Sequence, residues 1–441
     1  MTRGSADTVD ARDEVTFRPA GPLHGRVRVP GDKSITQRAL LIGAVCEGPV
    51  EIIDPVWAGD PISTAGMVAA LGVAIDGLGE RSGRAVVHGV GLRGLRAPGA
   101  VLDAGNSGTG MRLLSGLLAG QDGSFVVDGD RFLRARPMGR IVEPLRRMGA
   151  SIQAREDRFP PLAIVGGRLT GIVYRPPVTS AQVKSCILLA GLLADGETTV
   201  IEPVASRDHT ERMLAAAGAD LRRHDGAVTI RGAERLGLDR VVVPGDPSSA
   251  AFLVAAAVLV PGSHLTITDV GLNPSRLGFY DVARRMGARV DWTVTEEIGG
   301  EPRGEVEVRA SALHSTTVPA HETASLIDEV TLLALLASFA EGETVVAGVA
   351  DLRHKESDRL TGVTAMLEAL GGRAEAGDDE LRIIPSPLRG GVVSSLGDHR
   401  LAMLGAVAGL VCPRGVTVSG FSAAAVTFPG FTSTLAEVLR S

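Results

Sequence analysis

The chain has 441 residues, enough for two or three domains with large cores. Its formal net charge of -6 excludes a global basic field for nucleic acid. Its longest apolar run, from Ala250 to Val260, falls short of the roughly 20 residues that cross a bilayer.

The segment Met1 to Glu14 is polar and charged, without an apolar signal core, and is expected to be a loose tail. The stretch that organises the chain follows, starting with Gly31-Asp32-Lys33-Ser34-Ile35-Thr36-Gln37-Arg38. Pro30-Gly31 breaks the preceding strand, and Asp32, Ser34 or Thr36 can each cap the Ala/Leu-rich helix that comes next. Such a start gathers unpaired backbone N–H groups, the positive dipole end and two cations, which together suit an anion. The bland alternative is a capped surface helix with Lys33 and Arg38 in solvent. The spacing is not that of the Walker phosphate loop, because Gly25 and Gly31 are badly placed for it.

The unit then recurs: a polar start, an apolar helix, a Gly turn, a strand, and a second helix ending in Gly. New copies open at Gly105-Asn106-Ser107-Gly108, Thr179-Ser180-Ala181-Gln182, Gly245-Asp246-Pro247-Ser248, Ser325-Leu326-Ile327-Asp328-Glu329 and Gly397-Asp398-His399-Arg400. Six copies at a period of about 65 to 80 residues are too long for a solenoid and suit small α/β subdomains. They are expected to form two lobes of three, with the polar helix starts facing a shared cleft.

Those starts and their feeding loops carry Lys33, Ser34, Arg38, Asn106, Arg112, Ser180, Gln182, Lys184 and Arg400. Arg131, Arg134, Arg136, Ser206-Arg207 and the run Arg353 to Arg359 add further polar groups. An acidic protein that concentrates cations at repeated places is suited to small polyanions. Asp328 lies in an apolar run, where burial raises its pKa and neighbouring cations lower it. It is a candidate general base, or else a helix cap. Glu356 is a second acid/base candidate or an ion-pair partner. No zinc-ligand spacing, dinucleotide fingerprint or nucleophile elbow is present. Cys46, Cys186 and Cys412 share no short spacing and read as buried thiols in a reducing compartment, so a soluble cytoplasmic protein is expected.

These motifs resemble the enolpyruvyl transferase family, in its EPSP synthase (3-phosphoshikimate 1-carboxyvinyltransferase) branch, from about Phe17 onward. The resemblance rests on Pro30 to Ser34, Gly105 to Thr109, Arg136-Pro137-Met138, Ser180 to Ser185, Ser206 to Met213, Pro244 to Phe252, Leu326 to Glu329, Lys355 to Arg359 and Gly397 to Arg400. It implies two inside-out α/β barrels of three repeats each, at 31-243 and 244-441, with residues 1-30 supplying a tail and a strand to the second. It implies shikimate 3-phosphate and phosphoenolpyruvate as substrates and no metal or cofactor; a monomer is expected.

Carried over by position, Lys33, Ser34, Arg38, Ser180, Ala181, Gln182, Ser206, Asp328 and Lys355 would hold shikimate 3-phosphate. Lys33, Asn106, Gly108, Arg136, Gln182, Arg359 and Arg400 would surround phosphoenolpyruvate. Asp328, Glu356 and Lys33 would move protons. Gln37, the stretch His321 to Ser325, and Val426 depart from the family pattern. These departures leave open another phosphorylated alcohol as acceptor, in specialised metabolism, or a non-catalytic metabolite-binding paralogue. The sister enzyme acting on UDP-N-acetylglucosamine has a reactive Cys in the loop that here reads Asp130 to Arg136, without Cys.

Overall fold

Five of the six repeats open with a helix whose N-terminus is capped by its own side chain. Asp32 accepts from the Ile35 N–H ahead of helix Lys33–Ala44, and Ser107 accepts from Gly110 ahead of Gly108–Ala119. Ser180, Asp246 and Asp398 do the same for helices Ala181–Gly191, Pro247–Leu259 and His399–Gly409. Of the three possible caps at the first helix, Asp32 is therefore the one used. The fifth helix, Val330–Ser338, begins later than the expected start at Ser325, because the short helix Ala320–Thr323 and a run of turns intervene. Glu329 sits at its cap position without a side-chain cap bond, so Asp328 does not serve as the cap.

The computed structural model describes residues 13–80 and 83–440, so the first 12 residues of the expected tail lie outside the described residues. The fold is mixed α/β. Five four-stranded sheets share one plan, in which the strand after the opening helix is central, flanked by a parallel strand and by an antiparallel hairpin. In the first repeat, Glu47–Ile53 pairs antiparallel with Arg84–Val90 and parallel with Arg240–Val242, which arrives from the far end of the third repeat. In the fourth, His264–Gly271 takes His24–Arg28 as its parallel neighbour. The sixth repeat has no hairpin, and Glu14–Phe17 pairs instead with Val416–Ser419, with Phe17 opposite Val416. The opening helices are nearly fully buried, while the strands alternate buried and exposed positions, so helices lie inside and sheets outside. That arrangement is consistent with the implied inside-out barrel.

The apolar side chains form two cores. One runs from Ile35 to Val243, and the other joins Phe17 to Val29 with Ala250 to Val438. The chain crosses between them twice, at Pro30-Gly31-Asp32 and at Pro244-Gly245-Asp246, and the crossings bond to each other. The Asp32 N–H donates to the Pro244 carbonyl and the Asp246 N–H to the Pro30 carbonyl, both at 2.8 Å. Glycine is needed at both crossings. A Cβ at Gly31 would collide with the Asp54 carbonyl, and one at Gly245 would lie 2.9 Å from a Val29 methyl. These paired crossings bring the helix starts at Lys33 and Ser248 to one place.

Candidate active site

Two adjoining cavities, of about 90 and 310 Å³, lie between the halves and share Arg136, Gln182, Arg207, Asp328, Lys355 and Glu356 as walls. Lys33, Ser34, Gly108, Arg359 and Arg400 line the smaller one, and Ser180, Ala181 and Ser206 the larger. Arg38 and Asn106 line neither. Arg38 is buried behind the cleft, donating to Thr210 Oγ1 at 2.7 Å and to the Ser34 carbonyl at 3.0 Å. Asn106 acts through its neighbour, accepting from Arg136 Nη2 at 2.6 Å. Lys184, expected among the anion-binding groups, is instead sealed inside the first half between Glu202 and Glu211, at 2.7 and 2.8 Å. Arg134 pairs with Asp128 away from the cavities.

Cations outnumber carboxylates around both cavities, although the whole chain is acidic. Asp328 is the meeting point. It accepts from Arg207 Nη2 at 2.7 Å across the cleft and from Arg359 Nη1 at 3.1 Å, with Lys355 Nζ at 3.6 Å and Arg400 Nη2 at 3.8 Å. Burial pushes its pKa up, but Lys355, Arg207, Arg400 and Arg359 together outweigh burial and hold it well below the ordinary carboxylate range. Glu356 follows the same rule: burial raises it, while Arg359, Arg136, His399 and Lys33 bring it well below its usual value. Lys33 is buried too, yet its pKa is raised, because Asp60 at 2.9 Å and Glu356 favour the charged form. His399 loses its charge to burial, with its pKa pushed down to about 3. At neutral pH the cleft therefore holds ionised Asp328 and Glu356, a charged Lys33 and a neutral imidazole at His399.

Because both acids have lower pKa values folded than unfolded, the stability they add is present above the ordinary carboxylate range, about pH 4, and is lost as pH falls through the folded values. The Asp328→Asn/Glu356→Gln double variant is expected to show a shallower acid limb in unfolding midpoint against pH. An unchanged limb would refute these shifts.

Some wall residues were not singled out in the sequence as site residues. Arg207 stood in a noted cluster but carried no assigned role, whereas here it spans the cleft to Asp328. Arg276 is buried against Asp32 at 2.9 Å and Asp246 at 3.1 Å, and no motif around it signalled that. Arg112, noted at a helix start, is held by Gln182 and lines the larger cavity. Gln37 and Val426, two of the departures from the family pattern, line neither cavity. Gln37 Nε2 donates to Thr64 Oγ1, at 2.9 Å, and to Ser107 Oγ, at 2.5 Å. Val426 faces Gly59. Of the stretch His321 to Ser325, Ala324 reaches the larger cavity, while Glu322 pairs with Arg285 outside it.

Among the described residues, no helix is long and apolar enough to cross a membrane, and no cluster of His, Cys, Asp and Glu could hold a metal ion.

Comparison with known proteins agrees with this geometry. The sequence model described as EPSP synthase (3-phosphoshikimate 1-carboxyvinyltransferase) matches residues 17–435. The 3-phosphoshikimate 1-carboxyvinyltransferase of Synechococcus sp. (strain JA-3-3Ab) is 47% identical over 438 residues, covering 98% of each chain. That of Acidithiobacillus ferrooxidans (strain ATCC 53993 / BNL-5-31) is 46% identical over 414 residues, covering 94% of this chain and 95% of the relative. A solved EPSP synthase from Acinetobacter baumannii superposes with a TM-score of 0.85 at 39% identity, over 96% of this chain and 98% of that one. The enolpyruvyl transferase NikO from Streptomyces tendae shares the fold, with a TM-score of 0.76 at 21% identity over 96% of both chains. With matched family residues spanning both cores and the cleft between them, the chain belongs to the EPSP synthase (3-phosphoshikimate 1-carboxyvinyltransferase) family.

Proposed function

We propose that this protein transfers the enolpyruvyl group of phosphoenolpyruvate to the 5-hydroxyl of shikimate 3-phosphate, releasing phosphate, in the shikimate pathway to aromatic amino acids. One observation carries the reading to residues: the ionised pair Asp328 and Glu356 sits inside a ring of cations contributed by both halves. The two expected sets of binding residues overlap at the cavities: Lys33 and Ser34, expected to hold shikimate 3-phosphate, line the smaller one, and Arg136, Gln182, Asp328 and Lys355 line both. Ser180, Ala181, Gln182, Ser206, Asp328 and Lys355 wall the larger one, which suits shikimate 3-phosphate. Lys33, Gly108, Arg136, Gln182, Arg359 and Arg400 wall the smaller one, which suits phosphoenolpyruvate. Arg38 and Asn106 support these sets from behind, through Ser34 and Arg136.

The hydroxyl oxygen adds to C2 of phosphoenolpyruvate while its C3 takes a proton, giving a tetrahedral adduct. Loss of a proton from C3 and cleavage of the C2–O bond to phosphate then restore the double bond. Asp328 receives the hydroxyl proton. Its pKa is too low for a strong base in the empty cleft, but arriving anions share Lys355, Arg207, Arg359 and Arg400 and raise it toward working strength. Lys33 and Glu356 handle the C3 proton, while Arg136, Arg359 and Arg400 stabilise the anionic oxygens. Three buried free cysteines, Cys46, Cys186 and Cys412, suit a reducing cytoplasm.

The test is incubation with both substrates, following phosphate release and product mass. The enolpyruvyl ether with stoichiometric phosphate is expected, and a folded protein that binds phosphoenolpyruvate yet yields neither would refute the acceptor. A methyl added at Gly108 would lie 3.2 Å from Arg136 Nη1 and 3.0 Å from Arg112 Nη1. Gly108→Ala is therefore expected to raise the phosphoenolpyruvate KM several-fold and to weaken competition by glyphosate. If glyphosate does not inhibit the unaltered enzyme and Gly108→Ala leaves KM unchanged, the smaller cavity is not the phosphoenolpyruvate site.

A further inference from the structure

Behind the cavity walls, one chain of buried polar side chains stitches together four of the six opening helices. Asp32, the cap of Lys33–Ala44, accepts from Arg276 Nη1 at 2.9 Å. Arg276 Nη2 donates to Ser248 Oγ, in the first turn of Pro247–Leu259, at 2.8 Å. The Ser248 hydroxyl in turn donates its single hydrogen to a bond with Glu329 Oε1, at the start of Val330–Ser338. Arg400 Nη1, in the first turn of His399–Gly409, donates to the same Glu329 oxygen at 3.2 Å. All five side chains are at most a tenth exposed. Arg276 comes from no opening helix, and it also holds Asp246 at 3.1 Å, so it is anchored at both chain crossings.

We infer that Glu329, held by Ser248 and Arg276, is a positioning residue that aims the Arg400 guanidinium at the phosphoenolpyruvate subsite and ties its place to the Lys33 helix. This inference rests on the function proposed above. Glu329 takes one end of the guanidinium, while Arg400 Nε, buried at the cavity wall, has no protein partner among the described residues. A cation pinned at one edge and unpaired at another is set up to receive an anionic ligand atom. Without the pin, a long Arg side chain has other rotamers open to it and pays ordering entropy on binding. Ser248 commits its one hydroxyl proton to Glu329 and uses one of its two lone pairs to accept from Arg276. Lys33 is the residue after Asp32, so the chain spans between two cations that grip the same substrate from opposite halves.

The test compares Glu329→Gln, Ser248→Ala and the double variant with the unaltered protein, by steady-state kinetics and by calorimetric binding of phosphoenolpyruvate. Glu329→Gln is expected to raise both the phosphoenolpyruvate KM and its dissociation constant by about tenfold or more, with the shikimate 3-phosphate KM moving less than about twofold. Ser248→Ala is expected to shift the same way by less. The double variant should be no worse than Glu329→Gln alone, because both act through one chain. Equal loss for both substrates, additive effects, or unchanged phosphoenolpyruvate affinity in folded variants would overturn the assignment. If the unaltered protein proves inactive, the proposed activity fails, and the binding measurement alone decides the role of Glu329.

Discussion

Asp328→Ala is expected to lower kcat by about three orders of magnitude while phosphoenolpyruvate still binds with its KM not raised. The first part follows from removing the acceptor of the hydroxyl proton. The second follows from electrostatics. Asp328 neutralises Arg207, Lys355, Arg359 and Arg400 in the ligand-free cleft, and its loss leaves those cations without their shared carboxylate. Phosphoenolpyruvate then meets less internal competition, so its dissociation constant should hold or fall. Single-turnover phosphate release with calorimetry separates the two effects. Appreciable turnover in the variant would remove Asp328 from proton transfer, and loss of binding would make it a structural group instead.

The second large effect falls on stability. Lys184 is 3% exposed between Glu202 and Glu211, themselves 4% and 1% exposed. Lys184→Met leaves two carboxylates buried side by side without their cation, which costs about 3–5 kcal/mol. Glu202 also receives the Ser206 hydroxyl at 2.6 Å and its N–H at 3.2 Å, so the loop carrying Ser206 and Arg207 should loosen as well. The unfolding midpoint in urea is expected to drop sharply. Adding Glu202→Gln should recover part of the loss, since only one uncompensated charge then remains. A midpoint within error of the unaltered protein would show that water or a rearranged partner already satisfies these acids.

The contrast between Lys33 and Lys184 marks the boundary of what a sequence carries. Helix starts are local: Asp32, Ser107, Ser180, Asp246 and Asp398 cap the next few residues, so the caps and the polar starts were legible as a repeated pattern. Because the starts converge, Lys33, Gly108, Gln182, Asp328 and Arg400 meet in one cleft, together with Arg136, Lys355, Glu356 and Arg359 from the connecting segments. Each unit was expected to hold one strand after its opening helix, whereas the five four-stranded sheets add an antiparallel hairpin and a parallel neighbour to it. Partners far apart along the chain left no local trace. Arg276 reaches Asp32 from 244 residues away, and Arg207 reaches Asp328 from 121. Lys184 and Gln182 sit on one helix two residues apart, and only packing turns one into a sealed ion pair and the other into a cavity wall. Local chemistry determined which groups open each helix. The tertiary structure decided which of them face the substrates, because burial and long-range pairing depend on contacts that no short stretch of sequence contains.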